Sequence, residues 1–271
     1  MTDGLIRGRA ARLRERLSER DMQVLASLYQ LRLLTSRQVQ RLHLSEGSAH
    51  TQSRRTRSLL QRLTELGVVV RLDRTVGGVQ PGSTALVYGL SGLGLAVLEV
   101  QGPYGGRRRR VWETKPFFMH HVLGVSELCV GLSELTQDSR LQLLAFDGEP
   151  LAWRKFTSDS GAPTTLKPDA YVRVGMGEFE HSAFIELDMA SESLPTVQRK
   201  CLTYIGYWRS GAEQQAFGVF PLVVWLVPDT NHKRRMREVI ARLDADAQRL
   251  FAVALQADGP VVLTAPTEDE S

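Results

Sequence analysis

The sequence predicts an α+β chain built as two successive parts, and three observations carry that prediction. Residues up to about 100 show three helical apolar periods followed by two short strand-like runs. Residues from about 117 onward alternate helical and strand patterns, as a mixed α/β layer does. The charge also reverses between them: residues 1–116 hold 20 Lys+Arg against 9 Asp+Glu, whereas residues 117–271 hold 14 against 21. The net +4 of the chain therefore conceals a basic first part and an acidic second part.

Length and composition bound the rest. At 271 residues, with 42% apolar and 24% charged residues, the chain has the composition of a globular protein with room for two cores. No run approaches the ~18–20 apolar residues of a membrane span, and the basic stretch Leu5 to Arg20 lacks the apolar core of a secretory signal, so a cytoplasmic protein without a membrane partner is expected. The two cysteines, Cys129 and Cys201, sit inside apolar helical patterns and read as buried free thiols.

The first helix is read from Met22, Leu25, Leu28 and Tyr29, recurring behind Ser18, with Asp21 completing the Ser-x-x-Asp form of a capping box. Thr35-Ser36 caps a short second helix with Val39 and Leu42 inward. A longer third helix follows Ser45 to Ser48 and ends at Leu66-Gly67; Leu59, Leu60, Leu63 and Leu66 form its buried stripe, and Arg54, Arg55, Ser58 and Arg62 its outer side. Then come a strand over Val68 to Leu72, a turn-rich stretch with Gly77-Gly78 and Pro81-Gly82, and a second strand over Thr84 to Tyr88. Three helices and a two-stranded wing make a winged helix-turn-helix. In that fold the third helix enters the major groove while the wing grips phosphates, which makes Arg54, Arg55 and Arg62, with Arg71 and Arg74 nearby, the candidate DNA-binding residues. The run Tyr88-x-Leu90 with Gly94 resembles the ending of bacterial winged-helix regulators, where a closing helix often supports dimers.

Residues 101–116 read as a basic linker: Pro103, Gly105 and Gly106 precede Arg107, Arg108, Arg109 and Arg110 with no apolar period, and four arginines can track a phosphate backbone. Domains are thus expected at 1–100 and 117–265, followed by an acidic tail at 266–271. In the second domain a helix from Phe117 to Thr136 carries Phe118, Val122, Val125, Cys129 and Leu132 inward. A strand near Leu141 to Phe146 follows, then a hairpin of Thr165 to Val174 with Ala183 to Asp188, a helix from Pro195 to Arg209, an apolar strand Leu222 to Val227 and a basic helix from about Asn231 to Ala245. Leu250 to Leu255 and Val261 to Leu263 are read as a last apolar pair with strand character.

That order of elements, with Lys167-Pro168-Asp169 on one strand and Glu186-Leu187-Asp188 on the next, resembles the core of the PD-(D/E)xK, or restriction-endonuclease-like, superfamily. Glu186 and Asp188 are two apart on a strand, hence on one face about 7 Å apart. The resemblance implies Asp169, Glu186 and Asp188 as ligands of Mg²⁺, with Glu127 as the acid of the first helix and Lys200 as a lysine migrated to the following helix; Lys167 is the other candidate. The chain departs from the pattern where Asp188 replaces the usual strand lysine, and by helical wheel Glu127 lies opposite the apolar stripe. His120-His121 has no partners at zinc-ligand spacing, and phosphate-loop and nucleophile-elbow motifs are missing from the sequence.

Taken together, Leu33-Leu34-Thr35 with Gln38-Val39, Leu63-x-x-Leu66-Gly67-Val68-Val69, Val87-Tyr88-x-Leu90, His120-His121-x-Leu123-x-Val125, Lys167-Pro168-Asp169-Ala170 and Phe184-x-Glu186-Leu187-Asp188 with Lys200-x-x-x-Tyr204 resemble the replication-relaxation family of plasmids and mobile elements. The resemblance covers about Leu17 to Pro228. It implies a DNA-binding protein in plasmid replication, relaxation or mobilisation, with double-stranded DNA as partner and replication or relaxase proteins and a second copy of the chain as further candidates. Three mechanisms stay open at this point: a nuclease-like core that binds without cutting, a Mg²⁺-dependent nicking endonuclease, and a winged-helix transcriptional regulator.

Overall fold

The computed structural model describes residues 2–77, 84–98, 116–137, 141–190 and 192–265. The expected linker before Pro116, the tip of the expected wing and the acidic tail 266–271 lie outside the described residues. The chain divides into two compact units, Met1–Val130 and Gly131–Ser271.

In the first unit, α1 (Thr2–Arg14), which the apolar pattern did not reveal, precedes α2 (Glu19–Leu31), β1 (Leu33–Thr35), α3 (Ser36–His43), α4 (Ala49–Glu65), β2 (Val69–Gly77), β3 (Thr84–Leu90) and α5 (Gly92–Leu98). The caps are those the sequence predicts. Ser18 Oγ accepts from the Asp21 amide at 3.2 Å while the Asp21 carboxylate accepts from the Ser18 amide at 2.9 Å, closing the capping box of α2. Thr35 and Gln38 do the same for α3. Val24, Leu25, Leu28 and Leu31 of α2 and Leu59, Leu60 and Leu63 of α4 are buried, and deleting one such leucine costs about 2–5 kcal/mol. The three strands form an antiparallel sheet in the order β1-β3-β2. Gly94 closes α5 onto β2 because a Cβ there would lie 2.1 Å from the Val68 carbonyl oxygen, so no other residue fits.

The long helix α6 (Pro116–Gln137) was expected to open the second domain, but the division between units falls within it. Its early apolar residues are spent in the first unit: Met119, Val122 and Leu123 pack with Leu33, Leu72 and Val87. Ser126 Oγ donates to the Leu33 carbonyl at 2.8 Å, and Gln38 Nε2 donates to the Leu123 carbonyl at 3.1 Å.

The second unit contains β4 (Leu141–Gly148), β5 (Arg154–Thr157), β6 (Pro163–Leu166), β7 (Ala170–Met176), β8 (Phe179–Leu187), α7 (Leu194–Arg209), α8 (Ala212–Phe217), β9 (Leu222–Val227), α9 (Thr230–Ile240), α10 (Ala245–Gln248), β10 (Phe251–Leu255) and α11 (Gly259–Thr264). A five-stranded sheet runs β10-β9-β8-β7-β4, antiparallel through β4, β7 and β8 and parallel through β8, β9 and β10. β4 carries an irregularity between Leu143 and Ala145. Two readings of the sequence are corrected. The strand expected over Thr165 to Val174 is two strands, because Pro168 has no amide to extend a ladder; β6 pairs with β5 in a separate hairpin. The run Val261 to Leu263 is helical, with Pro260 in the first turn of α11.

One carboxylate holds α2 to α4. Asp21 is only 1% exposed, and it accepts from Ser18 and forms an ion pair with Arg62. Burial works to raise its pKa, but Arg62 and the Ser18 donors outweigh that and hold it below the ordinary 3.8. Arg62 is 47% exposed, so screening leaves the hydrogen bonds and the cap as the larger contribution. Asp21→Ala is expected to lower unfolding free energy by about 1–3 kcal/mol at pH 7 in urea denaturation. Because the carboxyl is depressed in the folded state, that deficit shrinks as the pH falls through and below 3.8.

Candidate functional site

The strand pair β7–β8 and helix α7 bring together three of the residues singled out from the sequence. The register Ala170↔Ile185 sets Asp169 opposite Glu186, one step past the paired residues, and the Asp169 amide donates to the Ile185 carbonyl at 3.0 Å. Asp169 Oδ2 in turn accepts from the Leu187 amide at 2.7 Å. Glu186 is 2% exposed, beside Trp225 on the parallel strand β9. Its two oxygens are both taken: Lys200 Nζ donates to Oε2 at 2.8 Å and the Tyr204 hydroxyl donates to Oε1 at 2.7 Å. Lys200 and Tyr204 are four apart on α7, so one helical turn delivers both donors to one carboxylate. Lys200 also reaches Glu192 at 2.6 Å and lies 5.5 Å from the Trp225 ring centroid.

Burial, and next the charge of Asp169, push the Glu186 carboxyl up to about 8, against the opposing pull of Lys200 and Tyr204. Burial alone would lower the Lys200 pKa; Glu186 and Asp169 outweigh it and hold the ammonium above its ordinary value. Tyr204 is raised well above the ordinary phenol range by burial and by Glu186. The Cys201 thiol is pushed up to about 12 by burial and then by Glu186, so it stays protonated and inert.

These donors do not fit a divalent-metal centre as they stand. The Lys200 ammonium occupies one Glu186 oxygen, Tyr204 the other, and Asp169 Oδ2 serves a backbone amide. Asp188 is buried, its amide bonded to the Leu226 carbonyl and its carbonyl accepting from Gln256 Nε2 at 2.7 Å. Among the described residues no group of three or more His, Cys, Asp or Glu is gathered to hold a metal. Glu127, assigned from the sequence to this site, accepts instead from Gln38 Nε2 at 3.0 Å and pairs with Arg41, both in the first unit. Lys167 stands 4.8 Å from the Trp153 ring centroid, a cation–π contact.

A second buried polar cluster was missed. Glu213, 1% exposed, binds Arg154 Nε at 3.2 Å and accepts from the Tyr207 hydroxyl. The Arg154 guanidinium lies 4.8 Å from the Tyr171 ring centroid and 5.4 Å from that of Phe184. It ties β5 and α8 to the core. No local motif announces it, because its members are 59 residues apart.

In the first unit, Arg54, Arg55 and Arg57 project from α4 into solvent, and none has an ion-pair partner among the described residues. Arg54, Arg55 and Arg62, with Arg20 from α2, line an open cavity of about 640 Å³ together with Ser18, Asp21 and Ser58. Arg62, read from the sequence as free for DNA, has its guanidinium engaged by Asp21. Arg57 and Arg20 were not singled out, since only the apolar stripe of α4 guided the choice. Arg71 is exposed on β2 opposite Tyr88. Arg74 lies on β2 with its side chain outside the described residues, and Arg107 to Arg110 lie outside them altogether.

A family model described as replication-relaxation matches residues 25–223, most of the chain, including Asp169, Glu186, Asp188 and Lys200. No curated protein matches the chain. No solved structure matches it.

The raised Glu186 carboxyl predicts a pH dependence. Its ordinary pKa is 4.5 and its folded value about 8, so the folded protein holds the proton more tightly, and the group's contribution to stability declines as pH rises between those values. In urea denaturation from pH 5 to pH 8, Glu186→Gln is expected to gain steadily on the wild type. Parallel profiles would show that Glu186 titrates near its ordinary value.

Proposed function

Because this chain belongs to the replication-relaxation family, we propose that it is a DNA-binding replication accessory protein of a plasmid or mobile element, acting in the cytoplasm. Its function is tied to replication or relaxation; the mechanism is our reading. The first unit is a winged helix whose α4 enters the major groove of double-stranded DNA, a reading supported by the order α2-β1-α3-α4-β2-β3, in which the hairpin after α4 pairs with β1 in an antiparallel sheet β1-β3-β2. The observation that carries the proposal is the set of unpaired arginines on α4. Uncompensated like charges on one helix cost stability, and they are repaid when phosphates replace water around them.

The second unit is a PD-(D/E)xK-like core that binds without cutting. Its β4-β7-β8 antiparallel strands, the α7 crossover and the parallel β9 support the likeness. The occupied oxygens of Glu186 support the absence of cleavage, since a ligand already hydrogen-bonded to an ammonium and a phenol is a poor host for Mg²⁺. The nicking endonuclease remains the second reading, favoured by the closeness of Asp169, Glu186 and Lys200.

Two measurements test this. Duplex-DNA affinity of Arg54→Ala/Arg55→Ala should fall by roughly tenfold for each arginine removed, with the salt slope shallower by about 0.9 for each phosphate no longer neutralised. Supercoiled plasmid incubated with the protein and Mg²⁺ or Mn²⁺ should stay supercoiled. Open-circle product that disappears in Glu186→Ala would replace the accessory reading with the nickase.

A further inference from the structure

The second unit is acidic, with 14 Lys+Arg against 20 Asp+Glu, yet it gathers cations on one element. Helix α9 reads Thr230-Asn231-His232-Lys233-Arg234-Arg235-Met236-Arg237-Glu238-Val239-Ile240. Met236, Val239 and Ile240 are buried in the same core as Val197, Cys201 and Tyr204 of α7. That fixes the inner face of the helix and leaves Arg234 and Arg237 exposed with the half-buried Lys233 at the edge, where with Thr230, Glu238 and Ala241 they line an open groove of about 490 Å³.

Elsewhere in this unit four cations are ion-paired, Arg154 with Glu213, Arg173 with Glu180, Lys200 with Glu186 and Glu192, and Arg209 with Asp244, while Lys167 and Arg249 lie over the Trp153 and Trp208 rings. On α9 only Arg234 is paired, with Glu238 at 2.7 Å, while Lys233, Arg235 and Arg237 have no ion-pair partner among the described residues. The placement works against the helix. Asp229 is the N-cap, so Lys233, Arg234 and Arg235 fall in the N-terminal half, where the helix dipole disfavours cations, and Lys233 and Arg237 repel each other four residues apart. Arg237 stands in the last turn, where the dipole favours a cation, and Arg234 has Glu238; Lys233 and Arg235 have no such compensation among the described residues, and an anionic surface would supply it. The element also lies beyond the residues matched by the family model.

We propose that the outer face of α9 is a second DNA-contacting surface, on which Lys233 and Arg237 engage the phosphate backbone of duplex DNA. Cations one helical turn apart are separated by about 6 Å along the axis, so they meet successive phosphates of one strand. The binding is independent of base sequence. The inference rests on the DNA-binding reading above and adds to it a site in the second unit.

The test uses the full chain and a duplex oligonucleotide titrated across salt concentrations. Lys233→Gln/Arg237→Gln is expected to reduce the slope of log affinity against log salt by about 2, one for each phosphate left without its cation, and to weaken binding at least tenfold at moderate salt. Lys155→Gln/Arg199→Gln removes the same charge elsewhere in the unit and should leave the slope at the wild-type value. An unchanged slope in the α9 variant, or an equal drop in both variants, overturns the proposal. If the wild type binds and depends on Arg54 and Arg55 while the α9 variant matches it, only this inference fails; if the wild type shows no salt-dependent binding, the functional reading fails with it. Should the double variant not fold by thermal melting, Arg237→Gln alone, at an exposed position, is expected to reduce the slope by about 1.

Discussion

A carboxylate in the middle of a β-sheet is the constraint around which the second unit is arranged. Glu186 is almost wholly removed from water, and a carboxyl group so placed is tolerated when its oxygens find hydrogen-bond donors. Lys200 and Tyr204 supply them from one turn of α7, which fixes the rotation and the axial position of that helix against β8. Apolar contacts alone would tolerate small slips; two hydrogen bonds to one carboxylate do not. Once α7 is set, its apolar side offers Val197, Cys201 and Ile205 to the core that also receives Met236, Val239 and Ile240 of α9. These two hydrogen bonds therefore specify where the greasy surfaces meet, while their burial supplies most of the energy.

Local chemistry was legible in the sequence to a considerable depth. The capping box at Ser18, the cap at Thr35, the buried stripe of α4 and the strand Leu222–Val227 follow from patterns a few residues long, and each is present. So is the meeting of Glu186 with Lys200, foreshadowed by an acid on a strand and a lysine off the apolar stripe of the next helix. What escaped was decided at long range. Glu127 is drawn to Gln38 and Arg41 across 89 and 86 residues, and no helical wheel contains that information. Arg154 and Glu213 find each other in the same way. The α1 helix escaped for another reason: its sequence is arginine-rich, and Ala10 and Leu13 are too sparse to register as a stripe, although both are buried.

Positive charge follows two different rules in this chain. On α4 and α9 it is left unpaired and outward; around β8 it is enclosed and matched. The distinction has energetic content. Exposed cations cost little to carry and act at a distance set by the ionic strength, whereas an enclosed one contributes only with its partner in place. An arginine-rich composition is therefore informative about binding only after the paired members have been set aside, as Arg62 shows by its attachment to Asp21.

The edges of the five-stranded sheet bear on how copies of the chain meet in solution. Strand β4 forms one edge, and the irregularity between Leu143 and Ala145 interrupts the even row of amides and carbonyls that a neighbouring strand would need as a template. Strand β10 forms the other edge; it is five residues long and runs directly into a turn and α11, which lies against it. Neither edge is a long, flat ribbon. Edge-to-edge extension, the common route from a crowded solution to fibrils, is thus obstructed at both edges of this sheet.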